Sequence, residues 1–486
     1  MALKGKGGRV EKDSLGSVRV PAGAYYGAQT VRASRNFPVS SIRPKPVFIR
    51  ATAMVKKAAA LANTGLGLLG RKKGSAIIRA ASEIISGKFH DQFIVDVYQA
   101  GAGTSHNMNA NEVIANRAIE LLGGRLGDYS LIHPNDHVNM AQSTNDTFPT
   151  AMRIAALLSA VELLGALNGL EKELGARARD FDRVIKSGRT HLQDAVPVRL
   201  GVEFASYASA VRSSIERIKK ASAGLGRIGL GGTAAGTGLN THPSYRARVA
   251  RELASVSGIK GILFRKTIDE GSAFEAIGGM ADFSSFSGSL KDLSIELIRI
   301  ANDLRLLSSG PRTGLAEITL PPVQPGSSIM PGKVNPVMAE MLDMVCFQVI
   351  GNDLAVTMAA QAGQLELNVM GPVINYNVLQ SMEILKNGVI AFTERCVNGI
   401  RADESRCRAY FEGSIGLATV LNPFIGYEKA ALVAKESYRT GKTVKEVVLE
   451  KGILTEKEWD KLLDPRKVTG PLEARMFKGR RGAAGR

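Results

Sequence analysis

The sequence predicts an all-α, mainly helical chain of three domains, built around a central bundle of five long helices. Between about Thr147 and Gly399 the chain consists of long stretches of helix-favouring residues, and Gly, Pro and Ser collect in the segments between them. Of the 486 residues, 44% are hydrophobic and only 6% aromatic, an ordinary globular composition that leans towards helix. The length favours more than one domain.

Residues 1–143 form the first predicted domain, which is mixed but mainly helical. Its clearest helix is ATAMVKKAAALAN, from Ala51 to Asn63. The segment that follows, GLGLLG from Gly65 to Gly70, has the spacing of a dinucleotide-binding motif. That motif requires a preceding strand, and here a helix precedes it, so we interpret the segment as a helix stop and a turn.

Residues 144–399 form the second predicted domain, which holds the long helices. The five predicted helices are Thr150–Ile185, Gly201–Ala223, Gly279–Leu307, Pro336–Ala362 and Asn377–Gly399. The segment Val337–Ala360 is apolar on nearly every side, which predicts a helix at the centre of a bundle, including one shared between subunits. Residues 400–486 are predicted to form a small helical domain with a basic tail.

Cysteine usage and charge restrict the possible environments and partners. The three cysteines have neither CxxC spacing nor histidine partners, which favours a reducing, cytoplasmic location. The N-terminus lacks the apolar run of a signal peptide, and we expect no membrane-spanning segment. The net charge of +18 is scattered rather than clustered. We therefore expect a surface that attracts small anions, and no nucleic-acid partner.

Four segments predicted to be loops concentrate hydroxyl and amide side chains next to helices. They are GAGTSHNMN (101–109), HPNDHVNMAQSTND (133–146), SGRTHLQDAVP (187–197) and QPGSSIMPGKVNP (324–336). Helix capping alone would explain many of these residues, because Ser, Thr, Asn and Asp satisfy the free N–H groups of a first helical turn. The fourth segment also contains polar and charged residues that helix capping does not explain.

In the fourth segment, Asn335 and Pro336 have the pattern of an N-cap followed by a first helical residue. Ser327, Ser328 and Lys333 lie upstream of that cap, where their polar groups can converge outside a helix N-terminus that already favours anions. This pattern predicts a pocket for a carboxylate.

Histidines also lie in these polar segments, where they can act as catalysts or as metal ligands. His191 lies beside Thr190 in the third segment, which leaves a catalytic role and a structural hydrogen-bonding role both open. His133 and His137 flank Asp136 at a spacing that metal sites use. No third ligand follows at a suitable spacing, and we predict no metal site.

The stretch GSSIMPGKVNP resembles the signature loop of the fumarase/aspartase superfamily, helical lyases that eliminate a group from succinyl-type substrates to leave fumarate. Further similar segments extend nearly from end to end; examples are VPAGAYYGAQTVRA, HPNDHVNMAQSTND, GRTHLQDAVP and GQLELNVMGPVI. The KVNP context resembles aspartases and fumarases rather than argininosuccinate or adenylosuccinate lyases. The resemblance implies a homotetramer whose helices merge into one core, with each active site formed by three chains.

The resemblance to the aspartase branch also implies a reaction and a role for each site residue. Ammonia would be eliminated from L-aspartate through an aci-carboxylate intermediate, with no cofactor. Ser327 would be the general base, and Glu340 would pair with the catalytic His191. The remaining roles concern substrate binding: Thr104, Ser143, Thr144 and Ser328 at the β-carboxylate, Lys333 and Asn335 at the α-carboxylate, and Asn145, Thr190 and His191 around the amino group.

The sequence leaves three alternative functions open. The first is a class II fumarase, which would interconvert L-malate and fumarate, since NDTFPTAM and HPNDHVN resemble fumarase segments as well. STND at 143–146 and GAGTS at 101–105 resemble the aspartase forms more closely, which favours the amine. The second is an inactive structural relative, and the third is a nucleic-acid binder.

Overall fold

A computed structural model of the chain describes residues 8–259, 270–464 and 468–471. The predicted basic tail from Phe477 to Arg486 lies outside the described residues. The helices of the described part are α1 (Ala28–Asn36), α2 (Pro46–Gly65), α3 (Arg71–Ile85), α4 (Thr104–Leu121), α5 (Thr144–Asp180), α6 (Leu200–Leu225), α7 (Tyr245–Ser257), α8 (Glu270–Gly278), α9 (Ala281–Leu307), α10 (Val337–Gln361), α11 (Gly371–Arg395), α12 (Glu404–Gly413), α13 (Ala418–Ile425), α14 (Tyr427–Thr440), α15 (Val444–Glu450) and α16 (Glu456–Leu462).

The strands are few and short, and they form three antiparallel pairs. They are β1 (Gly8–Asp13) with β2 (Gly16–Pro21), β3 (Ile185–Thr190) with β4 (Gln193–Arg199), and β5 (Ile318–Thr319) with β6 (Arg401–Ala402). The predicted all-α, mainly helical class is therefore confirmed.

The five long predicted helices correspond to α5, α6, α9, α10 and α11, with shifted ends. The largest shift concerns α5, which begins at Thr144 and ends at Asp180 instead of running from Thr150 to Ile185. The earlier start places Pro149 inside the helix. There its missing N–H costs one backbone hydrogen bond within the helix.

The third polar segment, SGRTHLQDAVP, is not a loop as predicted but most of a β-hairpin. Thr190 pairs with Gln193, and the two residues between them, His191 and Leu192, both have left-handed φ values of 55° and 60°. Two consecutive residues of this kind form the tight turn that matches the twist of paired strands. Neither residue is Gly, Asn or Asp, so the sequence contains no recognisable hairpin signal.

The chain divides into two compact units. Among the described residues, the first unit comprises those in Met1–Gly165, Ser214–Ile295 and Val345–Lys386, and the second those in Ala166–Ser213, Glu296–Met344 and Asn387–Arg486. The first unit has a core formed by β2 and α1–α4, which includes Val20, Ile77 and Ile114. The second has a core around Trp459. The three-domain division at residues 143 and 399 remains a prediction.

Two of the long helices are unusually apolar. Within the described ranges, α5 and α10 are long and apolar enough to cross a membrane by composition, with 61% and 39% of their most apolar stretches buried. In α10 the exposed apolar side chains are large: Met344, Phe347, Leu354 and Met358 are 65%, 58%, 64% and 55% exposed. An exposed apolar surface of this kind marks an interaction site.

Candidate active site

In the first unit, the predicted substrate-binding residues lie at the starts of two neighbouring helices. Thr104 is the first residue of α4, where it is exposed and its Oγ1 donates to the carbonyl oxygen of Gly101 at 2.7 Å. Gly103, with a left-handed φ of 93°, packs against Phe148 of α5 so closely that an added Cβ would lie 2.2 Å from the ring. This close approach brings the beginnings of α4 and α5 together.

Asn107 of α4 connects the two helix starts through hydrogen bonds. Its Nδ2 donates to Oγ1 of Thr144 at 3.2 Å. Just before α5, Oγ of Ser143 accepts from the backbone nitrogen of Asn145 at 3.2 Å, and Nδ2 of Asn145 donates to the carbonyl oxygen of Ala234 at 2.8 Å. The structure thus places Thr104, Ser143, Thr144 and Asn145 in one region of the first unit.

Asp146 organises this region, although the sequence assigned it no role. Its side chain is buried, and its two carboxylate oxygens accept from three backbone N–H groups, those of Ser143 at 2.9 Å, Gly231 at 2.9 Å and Thr233 at 3.0 Å. Burial raises the pKa of this carboxyl to about 6, while the three hydrogen bonds and the charge of Lys56 oppose the rise. Asp146 therefore fixes the start of α5 to the segment that follows α6.

Lys56 is a buried cation beside this carboxylate, and the sequence analysis did not identify it. It lies in the middle of α2 with no solvent exposure, and its Nζ donates to Oδ1 of Asn139 at 2.8 Å and to Oε1 of Gln142 at 3.0 Å. Burial lowers the pKa of the ammonium to about 7, and the carboxylate of Asp146 opposes this change. Lys56 thereby positions the segment that leads into Ser143.

The HPNDHVN segment forms a single π-helical turn from Pro134 to Val138. Nδ1 of His133 accepts from the backbone nitrogens of Asn135 and Asp136, so this histidine caps the turn. Nε2 of His137 lies 2.9 Å from Nζ of Lys73, and burial together with that ammonium lowers the pKa of the imidazole. A neighbouring ammonium suits an anion and opposes the binding of a cation.

In the second unit, Thr190 and His191 lie at the tip of the β3–β4 hairpin, and both side chains are exposed. The hairpin therefore presents a hydroxyl and an imidazole at the end of a short rigid support. The sequence predicted these residues for the substrate-binding region; it did not predict the strands that hold them.

The QPGSSIMPGKVNP segment forms a loop that is closed at its base. The backbone nitrogen of Gly326 donates to the carbonyl oxygen of Lys333 at 2.9 Å, and Nδ2 of Asn335 donates to the carbonyl oxygen of Gly326 at 2.6 Å. Asn335 therefore closes the loop rather than capping α10 as the sequence pattern suggested. The first backbone acceptor of α10 is instead the carbonyl of Pro336, which receives the N–H of Glu340 at 3.1 Å.

Within this loop, Oγ of Ser327 accepts from the backbone nitrogens of Met330 at 3.0 Å and Ile329 at 3.3 Å. Two N–H donors at this oxygen favour a negative charge on it, as an alkoxide base requires. Ser327 and Lys333 line a loop cavity of about 440 Å³, and Ser328, which follows Ser327, is exposed.

Glu340, in the first turn of α10, has Arg305 as its charged neighbour, with 4.0 Å between Oε1 and Nη2. Its pairing with His191 remains a prediction, as do the individual roles of all the site residues. The structure groups four of the predicted residues in the first unit and the other seven, Thr190, His191, Ser327, Ser328, Lys333, Asn335 and Glu340, in the second.

Hydroxyl and amide side chains at the starts of α4 and α5 in the first unit, and a closed loop with two serines and a lysine in the second, are the groups that the signature-loop resemblance expects of a helical lyase. Comparison with known proteins agrees with this class. The family model described as Lyase matches residues 16–351, and the model described as Fumarase C C-terminus matches residues 417–470.

Curated relatives and solved structures resemble nearly the whole chain. An aspartate ammonia-lyase of Bacillus subtilis is 50% identical over 95% of this chain and 96% of its own, and one of Escherichia coli is 47% identical over 95% and 96%. A cobalt-bound fumarate lyase:delta crystallin of Brucella melitensis superposes with a TM-score of 0.92 at 51% identity, covering 96% of this chain and all of that one. A class II fumarase of Schistosoma mansoni gives 0.91 at 37% identity, with the same coverages.

The chain belongs to the fumarase/aspartase superfamily of lyases. The family membership and the lyase class predicted from the signature loop are therefore confirmed.

Proposed function

We propose that the chain is an aspartate ammonia-lyase, which converts L-aspartate reversibly to fumarate and ammonia. The observation that carries the proposal is that the chain is more similar to aspartate ammonia-lyases than to a class II fumarase. Curated aspartate ammonia-lyases are 47–50% identical over at least 95% of the chain, whereas the class II fumarase structure is 37% identical over a comparable length. The aspartase-like forms of STND and GAGTS favour the same choice.

The proposed reaction begins with removal of a proton from the carbon next to the β-carboxylate. Ser327 Oγ, as an alkoxide, takes this proton, and the electron pair moves onto the β-carboxylate to form an aci-carboxylate. Because that hydrogen is only weakly acidic, the growing charge needs preorganised donors. Ser143, Thr144 and Ser328 serve as these donors, and Thr104 joins them when its hydroxyl turns from the carbonyl of Gly101 to the substrate. The electron pair then returns to form the carbon–carbon double bond, and the C–N bond breaks to release the amine.

The other end of the substrate is held by charge and by amide groups. Lys333 and Asn335 bind the α-carboxylate, while Asn145, Thr190 and His191 surround the amino group. The Gly and Pro residues of the loop let it close over the substrate and exclude water during the reaction. No cofactor enters this scheme.

We further propose a cytoplasmic homotetramer in which three chains contribute to each active site. The exposed apolar side chains of α10, among them Phe347 and Leu354, support association through that helix, because a surface of this kind is unfavourable in water. The assembly would bring site residues of different chains together.

The deciding experiment compares L-aspartate with L-malate, using purified protein and fumarate absorbance. We expect kcat/KM for aspartate to exceed that for malate by at least about 10³, which asks for roughly 4 kcal/mol of transition-state discrimination. The Ser327→Ala variant, purified in parallel, controls for contaminating host enzyme. Equal rates, or faster fumarate formation from malate, would replace the proposal with the class II fumarase.

A further inference from the structure

Glu317 is a fully buried carboxylate in the second unit, and none of the reaction steps above uses it. It lies just before β5, on the segment that leads into the QPGSSIMPGKVNP loop. Its backbone is fixed on both sides: the nitrogen donates to the carbonyl oxygen of Leu307 at 2.9 Å, and the carbonyl oxygen accepts from the nitrogen of Asp403 at 2.9 Å. The side chain therefore extends from a rigid support.

The carboxylate binds two cations that both come from β3, the strand that leads to His191. Nη1 of Arg189 donates to Oε1 at 2.9 Å, and Nζ of Lys186 lies 2.6 Å from Oε2. The guanidinium of Arg189 also lies over the ring of Tyr410, 5.4 Å from its centroid. Lys186 is itself buried and forms a second ion pair with Glu203 at 3.1 Å. Glu317 thus holds β3 at two points.

Stability alone does not explain this arrangement. Buried ion pairs lose much of their attraction to desolvation, and well-packed apolar residues often stabilise a protein equally well. The arrangement does explain how the hairpin tip is oriented. The register of β3 against β4 shifts between Ser187 and Arg189, just before the tip, so the strand ladder alone does not fix the direction of His191.

We infer that Glu317 is a positioning residue that acts through Arg189 and Lys186 to hold His191 in place for the substrate. The inference rests on the proposed function, since it assigns the hairpin tip to the amino end of L-aspartate. Positioning errors of about 1 Å can cost about 10²-fold in rate. We therefore expect Glu317→Gln to lower kcat/KM for aspartate by about 10²-fold while the protein remains folded.

The experiment is a double-mutant cycle between Glu317→Gln and His191→Ala, with kcat/KM for L-aspartate measured per folded protein. If Glu317 acts by orienting the imidazole of His191, then Glu317→Gln has little further effect on kcat/KM in a protein that lacks this imidazole. In the His191→Ala background we expect Glu317→Gln to reduce kcat/KM by less than about threefold. Losses that multiply in the double variant would show that Glu317 does not act through His191, and would overturn the inference.

Arg189→Lys is the second variant, for the case in which Glu317→Gln does not fold. It keeps a positive charge but loses the planar guanidinium, and it leaves the Lys186 pair in place. Arg189→Lys should lower kcat/KM when His191 is present and have little effect in the His191→Ala background. The matched control is Arg199→Lys, which alters an ion pair with Asp182 at the opposite end of the same hairpin. Its effect should be small and independent of His191.

A second readout does not depend on turnover. The carbon-bound ring proton signals of His191, assigned by their loss in His191→Ala, should shift in Glu317→Gln and Arg189→Lys and stay in place in Arg199→Lys. Unchanged signals would overturn the inference even if the enzyme is an aspartase. Shifted signals in a protein without activity on L-aspartate would reject the proposed function and leave the positioning role supported.

Discussion

The backbone nitrogen of Thr233 donates a hydrogen bond of 3.0 Å to the buried carboxylate of Asp146. This bond joins the start of α5, where three of the predicted substrate-binding residues lie, to a segment that is distant in sequence. The same carboxylate holds the N–H of Gly231, and the side chain of Asn145 binds the neighbouring carbonyl of Ala234. The start of α5 and the segment that contains Gly231, Thr233 and Ala234 are therefore held next to each other.

Asp146→Asn should lower both stability and turnover. The amide has one acceptor oxygen where the carboxylate had two, so a buried N–H loses its partner at a cost of about 1–3 kcal/mol. We expect a lower melting temperature and a kcat reduced by at least about tenfold, because Asn145 and Thr144 are displaced.

The control for this prediction is Asp96→Asn. Asp96 is also a buried carboxylate that accepts backbone N–H groups, from Ser40 at 2.7 Å and Ser41 at 2.8 Å, but it lies outside the predicted site. It should lose stability with little change in kcat. A similar fall in kcat for both variants would mean that Asp146 affects turnover only through general stability.

Lys56 should make stability depend on pH. Its pKa is lowered to about 7 in the folded protein, whereas an unfolded lysine has a pKa near its ordinary value of 10.5. Between these values the unfolded state binds more protons, so the contribution of Lys56 to the free energy of unfolding rises with pH, by at most about 1.4 kcal/mol per pH unit.

Urea denaturation of the wild type and of Lys56→Met, between about pH 7 and pH 9.5, would measure this contribution. The wild type should gain stability relative to the variant as the pH rises. If the difference in denaturation midpoint between the two proteins does not change with pH, this would contradict a strongly lowered pKa at Lys56.

Ser327→Ala should abolish most of the activity without unfolding the protein. Loss of a general base typically lowers kcat by about 10²–10⁴. The backbone N–H groups of Met330 and Ile329 that now bind Oγ belong to exposed residues, so water can replace the hydroxyl. Steady-state kinetics and thermal unfolding of the same sample would check both parts, and near-normal turnover would remove Ser327 from the mechanism.

Leu354→Asp should disrupt the proposed tetramer. Leu354 is 64% exposed on α10 in the single chain, and a charge there would be buried at the proposed interface. Light scattering should show dissociation together with loss of activity. Leu432→Asp on α14 is the matched control, because Leu432 is also 64% exposed and lies in the small C-terminal region. A Leu354→Asp variant that stays tetrameric would locate the interface elsewhere.

The parts of the fold that follow local rules could be predicted from the sequence. The long helices follow from long stretches of helix-favouring residues in which Gly and Pro are sparse. The predicted helix stop at GLGLLG is confirmed, because α2 ends at Gly65 and α3 begins at Arg71. The turn at His191 and Leu192 could not be predicted, because its left-handed backbone is imposed by tertiary contacts on residues that do not favour it.

The supporting contacts of the site were missed for a related reason. Lys56 and Lys57 are adjacent on one helix, and only packing buries the first while the second stays partly exposed. Asp146 was visible within the STND motif, but its partners Gly231 and Thr233 lie far along the chain. The one sequence signal for Lys56 is the pair of lysines within the otherwise apolar run ATAMVKKAAALAN.

The closure of the QPGSSIMPGKVNP loop at its base has a consequence for conformational entropy. Because Gly326 is hydrogen-bonded to Lys333 and Asn335, the proposed closure over a substrate would have to immobilise only the short segment between Gly326 and Lys333. Gly326 itself allows no side chain, since an added Cβ would lie 2.1 Å from the carbonyl oxygen of Lys333. The segment that carries Ser327 is therefore tethered at both ends, so the proposed closure over a substrate would keep these two ends together.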